Sequence, residues 1–141
     1  KHLIVEYEND SGNLRDNAYQ ELMEKKDHAY SFLVEEGYTL VEDIKIMVNK
    51  FPEVLSFLEA RHIPVYGNVG VGLLFPHFYK GQEKHIPELL TFVKKLGGHV
   101  NGRHGIGIMK KQYLEFNDKK ILENIKKRTD PRQKFNIGKV I

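Results

Sequence analysis

Apolar residues recur along this chain with two different periods. His2-Leu3-Ile4-Val5-Glu6-Tyr7-Glu8 is rich in β-formers and predicts a strand, closed by a turn at Asn9-Asp10-Ser11-Gly12. Ala18, Leu22, Ala29 and Leu33 fall largely on one helical face, with Tyr19 and Tyr30 beside them, and Gly37 is placed to stop that helix. A second strand is expected near Ile44-Lys45-Ile46-Met47-Val48. Pro52 suits the first turn of a short helix whose buried stripe would be Val54, Leu55 and Leu58. Ile63-Pro64-Val65-Tyr66 and Val71 to Tyr79 read as two strands, reversed between them by Gly67, Gly70 and Gly72. Residues 82–96 give the clearest amphipathic helix, with Ile86, Leu89, Leu90, Val93 and Leu96 at helical spacing, ended by Gly97-Gly98. After a glycine-interrupted stretch over 99–114, Asn117 or Asp118 is expected to cap a last helix bearing Ile121, Leu122 and Ile125. Asp130-Pro131 breaks it and leaves an irregular tail. The order strand, helix, strand, helix, strand, strand, helix predicts an α+β fold, with helices on one face of a mainly antiparallel sheet, compatible with a ferredoxin-like arrangement.

Composition narrows the chemistry. The 141 residues amount to one domain with enough apolar content for a core. There is no cysteine, so disulfides, thiolate nucleophiles and Cys-type zinc or iron–sulfur sites are excluded. No apolar run approaches the roughly 20 residues of a membrane span. With no signal segment either, the expected location is the cytoplasm, with peripheral membrane association compatible. Residue 1 is Lys rather than Met, and the expectation is a piece of a longer chain.

The net charge of +3 hides an asymmetry. Residues 1–79 hold 7 Lys/Arg against 13 Asp/Glu, whereas residues 80–141 hold 15 against 6. A basic half suits nucleic acid, an anionic ligand or an acidic partner. The plainer expectation is solvated helix faces, because the lysines come in scattered doublets such as Lys94-Lys95, Lys110-Lys111, Lys119-Lys120 and Lys126-Lys127.

Two glycine clusters share the pattern G-x-x-G-x-G, at Gly67-Gly70-Gly72 and Gly102-Gly105-Gly107. Neither joins a first strand to its helix as a dinucleotide fingerprint does. The first reads as hairpin chemistry. The second, Gly102-Arg103-His104-Gly105-Ile106-Gly107, sets a titratable ring beside a cation in a loop whose glycines let a ligand approach the backbone. His77, His99 and His104 fit no compact metal-binding motif. Phe75, Phe78 and Tyr79 are candidates to stack bases, although strand aromatics more often form core.

The segment from Gly97-Gly98 through His104-Gly105-Ile106-Gly107 to Lys110-Lys111 and Tyr113-Leu114 resembles the carboxy-terminal domain of the FAD-linked oxidases, the group of glycolate oxidase subunits and D-lactate dehydrogenases. There the pattern is G-G-x-x-x-x-E-H-G-I-G, a basic pair, then Tyr-Leu. The tail, Asp130-Pro131 through Asn136-Ile137-Gly138-Lys139, is similar to that family's D-P-x-x-x-x-N-P-G-K ending, and Tyr66 to Gly72 falls where it has a G-H-x-G-D-G-N-x-H hairpin. The resemblance implies a cap, or substrate, domain over residues 1–141. It would serve an FAD-dependent enzyme oxidising a 2-hydroxy acid of glycolate or D-lactate type to a 2-oxo acid. The FAD-binding domain would lie elsewhere in the full-length chain or in a neighbouring subunit, and the isolated chain would be inactive. His104 stands in the catalytic-base position. Arg103 and Asn68 are assigned to the small anionic substrate, and Asn136 and Lys139 to the cofactor. Metal-using relatives hold a divalent ion with two hairpin histidines and a glutamate. Those positions are Asn68, Phe75 and Arg103 here, so no metal is expected. No nucleic acid is expected either. Two rivals are a free-standing ferredoxin-like anion- or RNA-binding module, and a family member redirected to a substrate other than a hydroxy acid.

Overall fold

The computed structural model describes residues 16–101 and 103–139. The strand expected at residues 2–8 and its turn lie outside them. The chain divides into two compact units, Lys1–Glu36 and Gly37–Ile141. In the first, the expected single helix is interrupted once, giving α1 (Asp16–Asp27) and α2 (Ala29–Glu35). At the interruption, the Glu24 carbonyl accepts both the backbone N–H of His28 and, at 2.7 Å, its ring Nδ1. Gly37, at φ +91°, ends the second helix as expected.

The second unit carries β1 (Leu40–Val41), β2 (Ile44–Lys45), α3 (Phe51–Glu59), β3 (Val65–Asn68), β4 (Leu73–Phe78), α4 (His85–Lys95) and α5 (Phe116–Thr129). The strand expected at 44–48 starts earlier and ends sooner, because Val48–Lys50 turns into a short 3₁₀ segment leading into α3. β1 and β2 pair antiparallel with one edge of β4 in a single continuous register, Leu40 opposite Phe78 and Lys45 opposite Leu73. They are one strand broken at Glu42-Asp43. The break has a cause in the partner: Glu42 N–H donates to the Pro76 carbonyl, but proline has no N–H to return the bond.

β3 takes the other edge of β4, Tyr66 opposite Phe75 and Asn68 opposite Leu73. Beyond β2, His99 bridges antiparallel to Lys45 through paired backbone bonds of 2.7 and 2.8 Å. The spatial order is therefore the His99 segment, β1/β2, β4, β3, with α3 and α4 as the crossovers. This is the ferredoxin-like β-α-β-β-α-β arrangement expected from the sequence, within an α+β class.

Alternation sorts the sheet into two faces. Ile44, Leu74 and Phe78 point to the helices and form the core with Val54 and Leu58 of α3 and Leu89, Leu90 and Val93 of α4. Phe57 and Phe92 stack at 5.2 Å between the two helices. Each fully buried core side chain contributes about 1.5–3 kcal/mol relative to exposure. Of the hairpin glycines, Gly67 belongs to β3 rather than the turn. The reversal is made by Val69–Val71 and Gly72, at φ +74°, where a Cβ would collide with the Ile46 carbonyl. Phe78 is fully buried in this core and Phe75 is nearly so, so neither presents a ring face to a base; Tyr79 is exposed.

α5 begins at Phe116, with Glu115 rather than Asn117 or Asp118 before it and no side-chain cap bond. Of its expected apolar residues, Ile121 and Ile125 are exposed and Leu122 is half-buried; Phe116, Phe135 and Ile137 are exposed as well. No helix among the described residues is long and apolar enough to cross a membrane.

Candidate functional site

The sheet face opposite the helices is polar and aromatic. Val41, Asp43 and Lys45 alternate onto it from β1/β2, Leu73, Phe75 and His77 from β4, and Tyr66 and Asn68 from β3. Tyr66 stacks on Phe75 at 5.2 Å and lies 5.4 Å from the His77 ring. His77 is fully buried, with Nδ1 3.2 Å from the Tyr38 carbonyl. Burial pushes its pKa below the ordinary histidine value, the bond to Tyr38 acting the other way without prevailing.

The 101–110 loop crosses this face and is tied to it by one carboxylate. Asp43, at the ladder break, has no exposed surface. Its Oδ2 accepts the backbone N–H of Arg103 and, at 2.6 Å, that of His104. Its Oδ1 accepts Lys110 Nζ at 2.6 Å. Lys110 also lies 2.7 Å from Glu42 Oε2, and all three side chains are buried or nearly so. Burial alone would push the Asp43 carboxyl up. The Lys110 ammonium and the two amides outweigh it and hold the group below its ordinary value. Two successive amides converging on an anion form a nest, and the anion here comes from the chain itself.

The clamp leaves the side chains of Arg103 and His104 exposed. The His104 ring lies 6.0 Å from Phe75, tilted by 41°, so it extends the Tyr66–Phe75 stack outward. Gly105 (φ +78°) and Gly107 (φ +57°) follow, with open space where a Cβ would stand. Among the described residues, no ion pair engages the Arg103 guanidinium. Asn68, two positions from Tyr66 on β3, shares this side of the sheet and is exposed.

Asn136 and Lys139 lie in the tail, which has its own organiser. Asp130 accepts the amides of Lys134 at 2.9 Å and Phe135 at 3.0 Å and pairs with Lys126 at 2.8 Å. Lys126 holds its carboxyl below the ordinary value, burial opposing and the two amides assisting. Lys111 Nζ donates to the Gly138 carbonyl at 3.3 Å, joining the tail to the loop one residue from Lys110. The His104 ring thus lies against this face, Arg103 is held next to it through its backbone, Asn68 shares this side of the sheet, and Lys111 ties the tail to the same loop.

Sequence reading missed the residues that build this arrangement. Lys110 passes for one more solvated lysine, yet it is buried. The available signal was an acidic doublet inside a β-branched segment, paired with a strand interrupted by proline. Among the described residues, no group of three or more His, Asp or Glu is placed to hold a metal ion. The family model for the C-terminal domain of FAD linked oxidases matches residues 13–140. Searches of the curated proteins and of the solved structures returned no match.

Proposed function

The chain belongs to the family of FAD linked oxidase C-terminal domains, and from that premise we propose that it forms the substrate-facing cap of an FAD-dependent oxidoreductase acting on a 2-hydroxy acid of glycolate or D-lactate type. The observation that supports this most is the clamped loop. It offers an exposed imidazole, an exposed guanidinium and open glycines on a fixed sheet face. Adjacent residues aside, nothing stands within 4 Å of where a Cβ would sit at Gly105 or Gly107, which suits the close approach of a flat ring such as a flavin.

In this reading His104 takes the hydroxyl proton of the substrate, and Arg103 and Asn68 hold its carboxylate. When bound, FAD supplies the acceptor for the hydride leaving the carbon. Asn136 and Lys139 contribute donors and positive charge toward the cofactor. The partner is the FAD-binding domain, covalently joined or in a neighbouring subunit. The exposed apolar residues of α5 and the tail, Phe116, Ile121, Ile125, Phe135 and Ile137, suit that docking.

A second reading keeps the family and changes the substrate. Phe75, at a position where metal-using relatives carry a ligand, is buried against Tyr66 and His104 and offers no donor. That favours a substrate needing no metal to polarise it.

One experiment separates these readings. The longer polypeptide containing this chain is expected to show a flavin spectrum that bleaches anaerobically with D-lactate or glycolate. A bound flavin that does not bleach would favour the second reading. Absence of bound flavin would overturn both.

A further inference from the structure

We infer that Asp43 is a positioning residue for His104, acting through the backbone amides of Arg103 and His104 and held in place by Lys110. The inference deepens the proposed function, since it concerns the same loop, but its structural half stands without that reading.

Three observations carry it. First, the loop has few other supports. Among the described residues of 101–109, Arg103, His104, Gly105, Gly107, Ile108 and Met109 are exposed. A segment so exposed does not hold one conformation by burial. Second, the bonds to Asp43 fall on the two residues that carry the candidate chemistry, and they grip backbone, which leaves both side chains available. Third, the carboxylate is itself immobile. It has no exposed surface, it projects from the ladder break opposite Phe75, and its second oxygen is taken by Lys110. The ring of His104 meets the ring of Phe75, which is Asp43's register partner on β4. Both ends of the contact are therefore referred to the same two strands. Charge-assisted bonds of this kind are about twice as strong as neutral ones, and the planar carboxylate fixes direction as well as distance. Small displacements of a reacting group are costly in rate.

The test has two readouts. In the 141-residue chain, the nuclear Overhauser contact between the His104 and Phe75 rings is expected to be present. It should be lost in Asp43→Asn and in Lys110→Met, while contacts among Val54, Leu58 and Leu89 persist. Lys110→Arg, which keeps the charge, should restore it. Should Asp43→Asn not fold, the Lys110→Met and Lys110→Arg pair decides the matter alone. Persistence of the ring contact in Lys110→Met, or its loss in Lys110→Arg, would overturn the inference. In the flavin-bearing polypeptide, Asp43→Asn should lower kcat by about tenfold or more and raise KM as well, since the same clamp sets Arg103. An unchanged kcat, or a loss confined to KM, would contradict the positioning role. If the wild-type polypeptide has no flavin or is not reduced, the proposed function fails, and the ring contact still decides the clamp.

Discussion

Two aspartates in this molecule do the same thing by different routes. Asp43 and Asp130 each accept two consecutive backbone amides and one lysine ammonium. Asp130 reaches residues four and five positions ahead and a lysine four positions behind, so its clamp closes with the turn that ends α5. Asp43 reaches 60 to 67 positions ahead, and its partners meet it only once β1/β2, β4 and the Gly98–His99 edge are assembled. The local clamp shapes a tail. The long-range clamp fixes the candidate reactive loop to the sheet. One hydrogen-bonding pattern thus serves as a local turn device or as a tertiary staple, with burial and sequence separation deciding which.

That comparison can be broken most forcefully at Asp43. Replacing it with Ala leaves the buried Lys110 with Glu42 alone and frees two amides, for an expected loss of about 3 kcal/mol by urea denaturation of the 141-residue chain. A loss below about 1 kcal/mol would mean the staple is not one. Lys110→Met is expected to cost somewhat less, about 2 kcal/mol, the loss of the cation shared by Asp43 and Glu42. The double variant should fall short of the sum of the singles by about 1–2 kcal/mol, and strict additivity would show that the pair is not coupled.

Acid gives a gentler test. The Asp43 carboxyl is held below its ordinary value in the folded chain, so its contribution is complete above the ordinary aspartate range. It is lost as pH falls through the lowered value. Asp43→Asn should therefore flatten the acid limb of stability against pH, most visibly below about pH 4. A wild-type and a variant curve that stay parallel would exclude this. The smallest effect is expected at Asp130. Asp130→Asn should speed amide exchange at Lys134 and Phe135 while exchange in β4 and α4 is unchanged. Faster exchange spreading into β4 and α4 would show that the tail clamp is not local.

Legibility followed the same division. The helices over Phe51–Glu59 and His85–Lys95 announce themselves through apolar spacing, a proline at the start of one and paired glycines at the end of the other. The hairpin follows from its glycines, and the antiparallel class from the order of elements. His104 and Arg103 stand out because glycines flank them. What could not be read is what tertiary assembly alone creates. Nothing local distinguishes Lys110 from Lys111, yet one is buried beside two carboxylates and the other is not. Asp43 looks like a polar residue on a strand until Pro76 removes the reciprocal ladder bond beside it. The α5 stripe was legible as a pattern but not as exposed surface, because periodicity names a face without naming what covers it.

The most direct measurement is the anaerobic rate of flavin reduction by D-lactate or glycolate in the flavin-bearing polypeptide, compared across wild type, His104→Gln, Asp43→Asn and Asp130→Asn. The account predicts a fall of about a hundredfold or more for His104→Gln. It predicts about tenfold or more for Asp43→Asn, and a clearly smaller fall for Asp130→Asn, whose clamp shapes only the tail. Equal rates in all four, or an effect at Asp130 as large as that at Asp43, would contradict it.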